Sequence, residues 1–370
     1  METNNLKSKV QHGAHIMLVG ILAGANLVTI LLMLASCLST YLPPAIHPRL
    51  SQAGLLFPIF LLLNIAFIAI WLIVSWRWTL LPLLGMATCW SYIRDYCPIN
   101  FNKKQTGDYI SVLSYNVAGL TAAPTEVFDG YKAVDYITAS GADIILLQEC
   151  PNGGVVYNQL KHTMDSLNYH IKNDVAMCII SRWPFVDDVV YRTPGAFGNG
   201  TLAWRIDMDG DTVLMINNHL QSNGLSMEEK TEYGDALDSY DKDKMKASGK
   251  LLFSKLTKAA SKREEQTDSV CQLIKRNLRH SIILTGDMND TPISYTYQQI
   301  SSLLKNAFRE SGSGLGFSFT GKGFPVRIDH IFVTEDWETG HTYVDKSIQA
   351  SDHRPILTRL YKHPRTDQGL

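Results

Sequence analysis

The chain has 370 residues, of which 45% are hydrophobic and 19% are charged, and its formal net charge at pH 7 is −1. This length allows one large domain plus an appendage, and the near-zero charge excludes a chain that is basic throughout. The apolar excess is concentrated at the start of the sequence. Residues 1–100 contain five basic and two acidic residues, which leaves 29 basic and 33 acidic residues for the rest of the chain.

Three apolar stretches in residues 1–100 predict a membrane anchor. They cover residues 15–42, 54–76 and 79–93, and the first carries no formally charged side chain. Uncharged stretches of about 18 or more apolar residues are typical of transmembrane helices, so we predict three. The third is short and contains Pro82, so it either crosses the membrane or only dips into it. The flanking cations do not determine the orientation, and we place the following domain outside the cytoplasm.

A linker at residues 101–108 leads into a predicted catalytic domain at residues 109–362. Its sequence alternates runs rich in Val, Ile and Leu with helix-like stretches. The predicted strands lie at 109–117, 142–149, 176–184, 201–208, 212–220, 281–289, 327–333 and 355–360, with a helix at 126–140.

A predicted helical insertion near residues 226–279 interrupts this alternation. Apolar residues recur there near helical spacing, with Lys and Glu between them. It is either a solvated helix pair packed on a sheet, or a lid or lipid-facing arm. The basic run Lys242, Lys244, Lys246 and Lys250 suits anionic headgroups.

Polar residues follow or open six of the predicted strands. They are Asn116, Glu149, His219, the pair Asp287 and Asn289, Asp329, and the pair Asp352 and His353. A rigid scaffold that delivers so many polar groups at strand ends indicates an active site. We expect Asn116, Glu149, His219, Asp287, Asn289, Asp352 and His353 to fall within a sphere of about 10 Å. Alternation along a strand also predicts that Asp287 and Asn289 point to the same side.

These residue types fit metal-assisted attack of water on a phosphoester. Mg²⁺ prefers oxygen ligands and keeps several waters, so Asn116, Glu149 and Asp352 are sufficient to hold it, and Mn²⁺ is an alternative. The attacking water must lose a proton, for which Asp287 and His353 are both candidates. Asp329 is suited to orient the imidazole.

The motifs "SYN", "LLQE", "SRWP", "HL", "GDMN", "RIDHIF" and "SDHRP" occur in this order between residues 109 and 360. In this order they resemble the endonuclease/exonuclease/phosphatase superfamily, the deoxyribonuclease I-like group, and indicate a membrane-anchored member of the bacterial type. The resemblance implies an α+β fold, a four-layer α/β/β/α sandwich in which two packed, mostly antiparallel sheets have helices outside.

The resemblance also implies a role for each site residue. Asn116 and Glu149 look like the metal-binding pair, and Asp352 like a further contact to the metal or its water. His219 and Asn289 look like the groups that contact the phosphate. Asp287 looks like the residue that orients or deprotonates water, and Asp329 like the partner of His353. Ala118 stands where some nucleases of this group have an acid, so a second metal is less supported.

The resemblance gives the class of reaction but not the substrate. The excess of acidic over basic residues after residue 100 disfavours a nonspecific nuclease, which needs a basic face. A membrane tether raises the effective concentration of lipid substrates, so we favour a lipid or lipid-linked phosphodiester. A membrane-anchored endonuclease or exonuclease is the first alternative, and a catalytically inactive binding module is the second.

Overall fold

The computed structural model describes residues 2–101, 107–194, 198–224, 242–321 and 325–363. Five of the eight residues of the predicted linker, 102–106, lie outside these ranges. The same is true of the first part of the predicted insertion, up to residue 241.

The N-terminal segment forms a helical bundle. Helix α1 spans Glu2–Leu38 and helix α2 spans Phe57–Val74, with 3₁₀ turns at Ser39–Tyr41 and Leu50–Leu56 between them. Two stretches, Lys9–Tyr41 and Leu50–Val74, are long and apolar enough to cross a membrane. Many of their large apolar side chains are exposed, Ile16, Leu31 and Leu62 among them. The core helices of a soluble protein would bury such residues.

The third apolar stretch forms two short helices. Helix α3 spans Leu80–Thr88 and helix α4 spans Trp90–Tyr96, and Cys89 breaks the helix between them. Each is far shorter than the roughly 20 residues of a membrane-spanning helix. Together they return the chain towards the end of α1, since the hydroxyls of Tyr92 and Tyr41 lie 3.2 Å apart.

The rest of the chain is built on two mixed sheets of six strands each. The first has the order β11-β12-β1-β2-β4-β3 and the second the order β5-β6-β7-β8-β10-β9. The strands are β1 (Ile110–Asn116), β2 (Ile144–Gln148), β3 (His170–Asp174), β4 (Met177–Ser181), β5 (Tyr191–Arg192), β6 (Gly200–Met208), β7 (Asp211–His219), β8 (Ser281–Asp287), β9 (Lys305–Asn306), β10 (Asp329–Val333), β11 (Trp337–Val344) and β12 (Ile356–Lys362).

Each sheet has one parallel pair, β1–β2 or β7–β8, and its other neighbouring strands are antiparallel. The two parallel pairs are central in their sheets. Each needs a crossover connection, since parallel strands cannot be joined by a tight turn. Helix α5 (Gly130–Ser140) lies in the first crossover and helix α7 (Lys242–Asn277) in the second. The predicted insertion is therefore a crossover, and its described part is a single helix rather than a helix pair.

Alternation along the strands separates three apolar layers. Side chains such as Val112 and Leu146 of the first sheet meet Trp204 and Met215 of the second between the sheets. The opposite faces pack against helices. Helices α5 and α6 (Val155–Ser166) cover the first sheet, and α7 and α8 (Tyr295–Ser301) cover the second. A short helix α9 (Ala307–Ser311) follows β9. This is the predicted α/β/β/α sandwich.

The N-terminal helices are fastened to the sandwich by a buried polar contact. The carboxylate of Asp95 accepts hydrogen bonds from Arg309 at 2.6 Å and from the Tyr297 hydroxyl at 3.1 Å. The buried guanidinium of Arg327 donates to the carbonyl oxygens of Asp95 and Tyr96. Ile293 packs into the apolar cluster of the helices. The sandwich is therefore docked on the helical bundle.

Candidate functional site

Strand register brings three of the predicted residues side by side at one end of the second sheet. His219 of β7 pairs with Asp287 of β8, and Asp287 pairs with Asp329 of β10. Gly286 makes this possible, because a Cβ there would lie 2.0 Å from the backbone oxygen of Asn218, and its φ is +128°. In the "GD" of the motif, Gly286 therefore allows the close approach of β7 and β8, and Asp287 places a carboxylate at the end of β8.

The first sheet delivers two more residues opposite these. Asn116 ends β1, and Glu149 follows the last residue of β2, its partner strand. The Asn116 amide nitrogen donates to Glu149 Oε1 at 3.0 Å and, across the sandwich, to Asp287 Oδ2 at 3.2 Å. His219 Nε2 lies 3.5 Å from Glu149 Oε1 and 3.9 Å from Asp287 Oδ2. The polar residues at the ends of β1, β2, β7 and β8 thus form one cluster that connects the two sheets.

His353 completes the cluster as the partner of two carboxylates. Its Nδ1 lies 2.8 Å from Asp329 Oδ2, and its Nε2 lies 3.6 Å from Asp287 Oδ2. Burial alone would lower the pKa of His353, but the charges of Asp329 and Asp287 outweigh it and raise the pKa to about 10. At neutral pH this imidazole is therefore a cation. The same pairing lowers the pKa of Asp329 against the opposing effect of burial.

Asp287 has the opposite shift from Asp329. Burial raises the pKa of Asp287 to about 6, and the charge of His353 opposes the rise. A carboxylate with a pKa near neutrality can accept a proton and release it again, which is the property of a general base.

The turns after β2 and β8 have left-handed backbones at two predicted site residues. Glu149 has φ +51° and Asn289 has φ +51°. Non-glycine residues in this region cost free energy, and such positions cluster at functional sites. The prediction that Asp287 and Asn289 point to the same side assumed that both lie in one strand. That assumption is wrong, because β8 ends at Asp287 and Asn289 lies in the turn that follows. The Asn289 amide nitrogen instead donates to the Leu220 oxygen at 3.0 Å.

The charge of the cluster fits a divalent cation. Glu149, Asp287, Asp329 and Asp352 are four carboxyl groups against the single cation His353. Glu149 is the open member, with a side chain 43% exposed, whereas those of Asp287 and Asp329 are 2% or less exposed. An excess of carboxylate oxygens is the setting in which Mg²⁺ and similar hard cations bind. Ligand atoms of Asp287, Asp329 and His353 also lie within 4.8 Å of one another and could hold a metal ion.

The side-chain oxygens of the other two predicted metal ligands, Asn116 and Asp352, lie near protein hydrogen-bond donors. The Asn116 side-chain oxygen accepts from the Ala118 amide at 3.1 Å, so its nitrogen faces the carboxylates. A metal at Glu149 would meet the Asn116 oxygen only after the amide turns over. Asp352 is half-buried beside His353, and its Oδ1 lies 3.5 Å from the Ser351 hydroxyl. That hydroxyl donates to the Asn116 carbonyl at 2.8 Å, which ties Asp352 to the same strand end.

Two residues of the site have no counterpart in the sequence prediction. Asn199 lies before β6, and its amide nitrogen is 3.3 Å from His219 Nε2. Arg263 of α7 is almost completely buried; it donates to the Gln221 oxygen at 2.9 Å and lies 3.4 Å from Asp290. It therefore joins the turn after β7 to the turn after β8. Arg263 lies within a helix, away from every predicted strand end. Asn199 lies two residues before the predicted strand at 201–208, so its position at a strand start could have indicated it.

Models of protein families match most of the chain. The model of the endonuclease/exonuclease/phosphatase family matches residues 113–353 of the chain. A second model, described as a domain of unknown function, matches residues 19–96. No curated protein matches the chain.

Several solved structures resemble the sandwich. An endonuclease/exonuclease/phosphatase from Beutenbergia cavernae aligns with 19% identity and a TM-score of 0.48, covering 69% of this chain and 72% of that one. TDP2 from D. rerio with a single-strand DNA product aligns with 17% identity and a TM-score of 0.47, covering 69% and 100%. A Bacteroides vulgatus protein of the same description aligns with 14% identity and a TM-score of 0.46, covering 70% and 100%. At these identities the likeness concerns the fold.

Proposed function

Because the chain belongs to the endonuclease/exonuclease/phosphatase family, we propose that it is a membrane-anchored, metal-dependent phosphoesterase that directs water onto a phosphodiester. The observation that carries the proposal is the cluster of Asn116, Glu149, His219, Asp287 and the Asp329–His353 pair at adjoining strand ends. A buried network of carboxylates, amide and imidazoles at one edge of the scaffold is what hydrolysis of a phosphoester needs.

The metal site of the proposal lies at Glu149, with Asn116 and Asp352 as the other ligands. Glu149 is the carboxylate with room for a hydrated ion, and Mg²⁺ keeps several of its waters. When bound, the cation would polarise a phosphoryl oxygen and help hold the leaving oxygen. Mg²⁺ is the preferred ion and Mn²⁺ its substitute. The group Asp287, Asp329 and His353 is less suited, because its side chains are 6% or less exposed and leave little room for the waters that Mg²⁺ keeps.

We propose Asp287 as the general base, ahead of His353. The raised pKa of His353 and the pKa of Asp287 near 6 favour Asp287 as the acceptor of the water proton. His353, held by Asp329, would instead place a positive charge beside the phosphate as negative charge develops there. The Asn289 amide nitrogen donates to the carbonyl of Leu220, the residue after His219. In the proposal both His219 and Asn289 contact the phosphate oxygens.

The proposed substrate is a lipid or lipid-linked phosphodiester. Its support is the docking of the sandwich, through Asp95 of α4 and Ile293, on a bundle that contains two helices of membrane-spanning length. Such an anchor would keep the site close to a bilayer. The proposal includes an integral, multi-pass anchor. It places the sandwich on the extracytoplasmic side if α3 and α4 together form the third crossing, since two crossings alone would leave the sandwich on the side of the N-terminus. Protease accessibility of the sandwich in sealed, oriented vesicles would test that orientation.

The test of function compares substrates on the full-length chain in lipid nanodiscs. Lipid phosphodiesters in vesicles and single- and double-stranded DNA are supplied side by side, each with Mg²⁺, with Mn²⁺ and with a chelator. Asp287→Ala is the blank, and Asp165→Asn, an exposed carboxylate on α6, is the matched control. Chelator-sensitive cleavage of lipid with DNA intact supports the proposal. Cleavage of DNA alone would show a tethered nuclease, and no hydrolysis of any substrate would favour a binding module.

A further inference from the structure

The first half of helix α7 is more exposed than the second. Among residues 242–258, none whose side chain is placed is buried, whereas burial begins at Ala259 and Ala260. The free half is 17 residues long, about 26 Å at the rise of an α-helix. Two large apolar side chains on it, Leu251 and Phe253, are 47% and 41% exposed. We call residues 242–258 the α7 arm.

The arm and its base carry a strong positive charge in an otherwise acidic part of the chain. Residues 242–262 contain seven lysines and one aspartate, although residues after 100 include 33 acidic and only 29 basic residues. The lysines are Lys242, Lys244, Lys246, Lys250, Lys255, Lys258 and Lys262. A basic helix with exposed Leu and Phe has the composition of helices that lie in the interface of a membrane.

The base of the arm contacts the connection between the two candidate membrane helices. The Ser261 hydroxyl lies 3.3 Å from the Pro44 oxygen, and Glu264 accepts from the Ala45 amide at 2.6 Å. That connection also exposes large apolar residues, with Ile46 70% and Leu50 60% exposed. Since α1 ends and α2 begins there, this connection marks the level at which both candidate spans would leave a bilayer.

We infer that the α7 arm lies on the membrane surface, where its lysines bind anionic lipid headgroups and Leu251 and Phe253 enter the interface. Clusters of several lysines beside an anionic surface act together, so an arm with this many is suited to stable contact. The inference rests on the membrane anchor of the proposed function but not on its chemistry.

Helix α7 also contacts the wall of the candidate site. Lys255 of the arm donates to the Gly224 oxygen at 2.8 Å, and Gln266, beyond the arm, accepts from the Gln221 amide at 2.8 Å. Both contacts are to the segment that follows His219. An arm held on the lipid surface would therefore hold this wall of the site next to the headgroups.

The experiment measures amide hydrogen exchange of the full-length chain in nanodiscs. Discs with about one third anionic lipid are compared with purely zwitterionic discs. We expect peptides from residues 242–258 to exchange at least tenfold more slowly with anionic lipid, and this protection to disappear at high salt, because salt screens headgroup charge. Exchange in the strands of the sandwich should be the same in both discs.

Two variants of equal charge change separate the arm from a general electrostatic effect. Lys246→Gln, Lys250→Gln and Lys258→Gln together should abolish the protection. The matched control removes three exposed cations elsewhere, with Lys161→Gln, Lys275→Gln and Arg276→Gln, and should leave it intact. Equal exchange in the two discs, or equal loss in both variants, would overturn the inference. Failure of the chain to enter discs would overturn it together with the anchor, whereas loss of hydrolysis alone would bear only on the proposed chemistry.

Discussion

Arg263 shows how one buried side chain can hold a site together without touching the reacting atoms. It lies between the turn after His219 and the turn after Asp287, where it contacts Gln221, Asn223 and Asp290. A planar guanidinium can hold several acceptors in fixed directions at once, which an ammonium cannot. We regard it as a positioning residue for both turns.

Replacing Arg263 with Gln should therefore lower kcat more than it raises KM. The change leaves Asp290 without its partner, and breaking a buried ion pair costs about 3–5 kcal/mol in stability. We expect kcat to fall roughly 10- to 100-fold, the range of effects for misplaced catalytic groups. Arg263→Lys, which keeps the charge but loses the fork, should recover stability more than kcat. If both variants keep the parent kcat while losing stability, the role is structural only.

His330 is the buried histidine that the site does not use. Its ring packs against those of Tyr297 and Phe332 at 5.1 and 5.8 Å. Burial, together with the charge of Arg327, lowers the pKa of His330 from 6.5 to about 3. The folded chain therefore keeps this imidazole neutral.

The expected consequence is a loss of stability in mild acid. Between pH 6.5 and pH 3 only the unfolded chain protonates this group, so its contribution is complete above pH 6.5 and falls as the pH drops. The slope is about 1.4 kcal/mol per pH unit well below pH 6.5. Chemical unfolding of the full chain at pH 7, 6 and 5 should show a shallower decline for His330→Gln. His162→Gln, an exposed histidine, should follow the parent, and equal slopes for all three would contradict the assignment.

At the scale of elements, the sequence predicted the eight strands that lie inside the two sheets and missed the four at the edges. The missed strands are β3, β5, β9 and β11, and each is the end member of its sheet. Central strands are buried on both faces and read as continuous apolar runs. The edge strands β5 and β9 have two residues each, and β3 and β11 mix polar residues into the run, so no clear apolar pattern marks them.

The same distinction explains which site residues were predictable. Strand ends inside the sheets are visible in the sequence, and the structure brings Asn116, Glu149, His219, Asp287 and Asp329 together there. Asn199 contacts His219 from the loop before β6, and Arg263 contacts the turn after β7 from within helix α7. The position of Arg263 depends on tertiary packing, which no local pattern encodes.

Gly286 provides the test at this scale. Gly286→Ala would place a methyl group 2.0 Å from the Asn218 oxygen in the β7–β8 pair. The strand must shift or strain, and we expect a loss of about 3 kcal/mol or more, together with a loss of activity as Asp287 moves. Gly249→Ala is the control, since it meets nothing within 4 Å and lies inside α7, where Ala is favoured by about 1 kcal/mol. Thermal unfolding of both variants should show shifts of opposite sign.

At the scale of the whole molecule, the helical bundle and the sandwich are one docked unit joined through Asp95. Its side chain is 4% exposed and meets Arg309 and Tyr297, while Arg327 binds the backbone carbonyls at the end of α4. Arg327 lies two residues before Asp329, the partner of His353. The site is thus fixed relative to the helices rather than hanging on a free tether.

Asp95→Asn in the full chain should therefore destabilise the docked state strongly. The change removes the carboxylate charge that faces two buried or half-buried guanidinium groups, so the loss should be about 3–5 kcal/mol. Arg94→Gln is the neighbouring control, because its ion pair with Glu310 spans 3.9 Å and is partly exposed, which makes it worth well under 1 kcal/mol. Thermal unfolding in one type of nanodisc, with limited proteolysis between the bundle and the sandwich, measures both.

A double variant shows whether the loss comes from the pair itself. If the cost of Asp95→Asn is the unpaired charge of Arg309, then adding Arg309→Gln should cost less than Arg309→Gln does in the parent, because residues in contact are not additive. A cycle in which the two changes add fully would mean that the docking depends on the apolar contact at Ile293 instead. In that case proteolysis should separate bundle and sandwich no faster in Asp95→Asn than in the parent. Faster cleavage together with strong coupling would show that the Asp95–Arg309 pair holds the sandwich on the helical bundle.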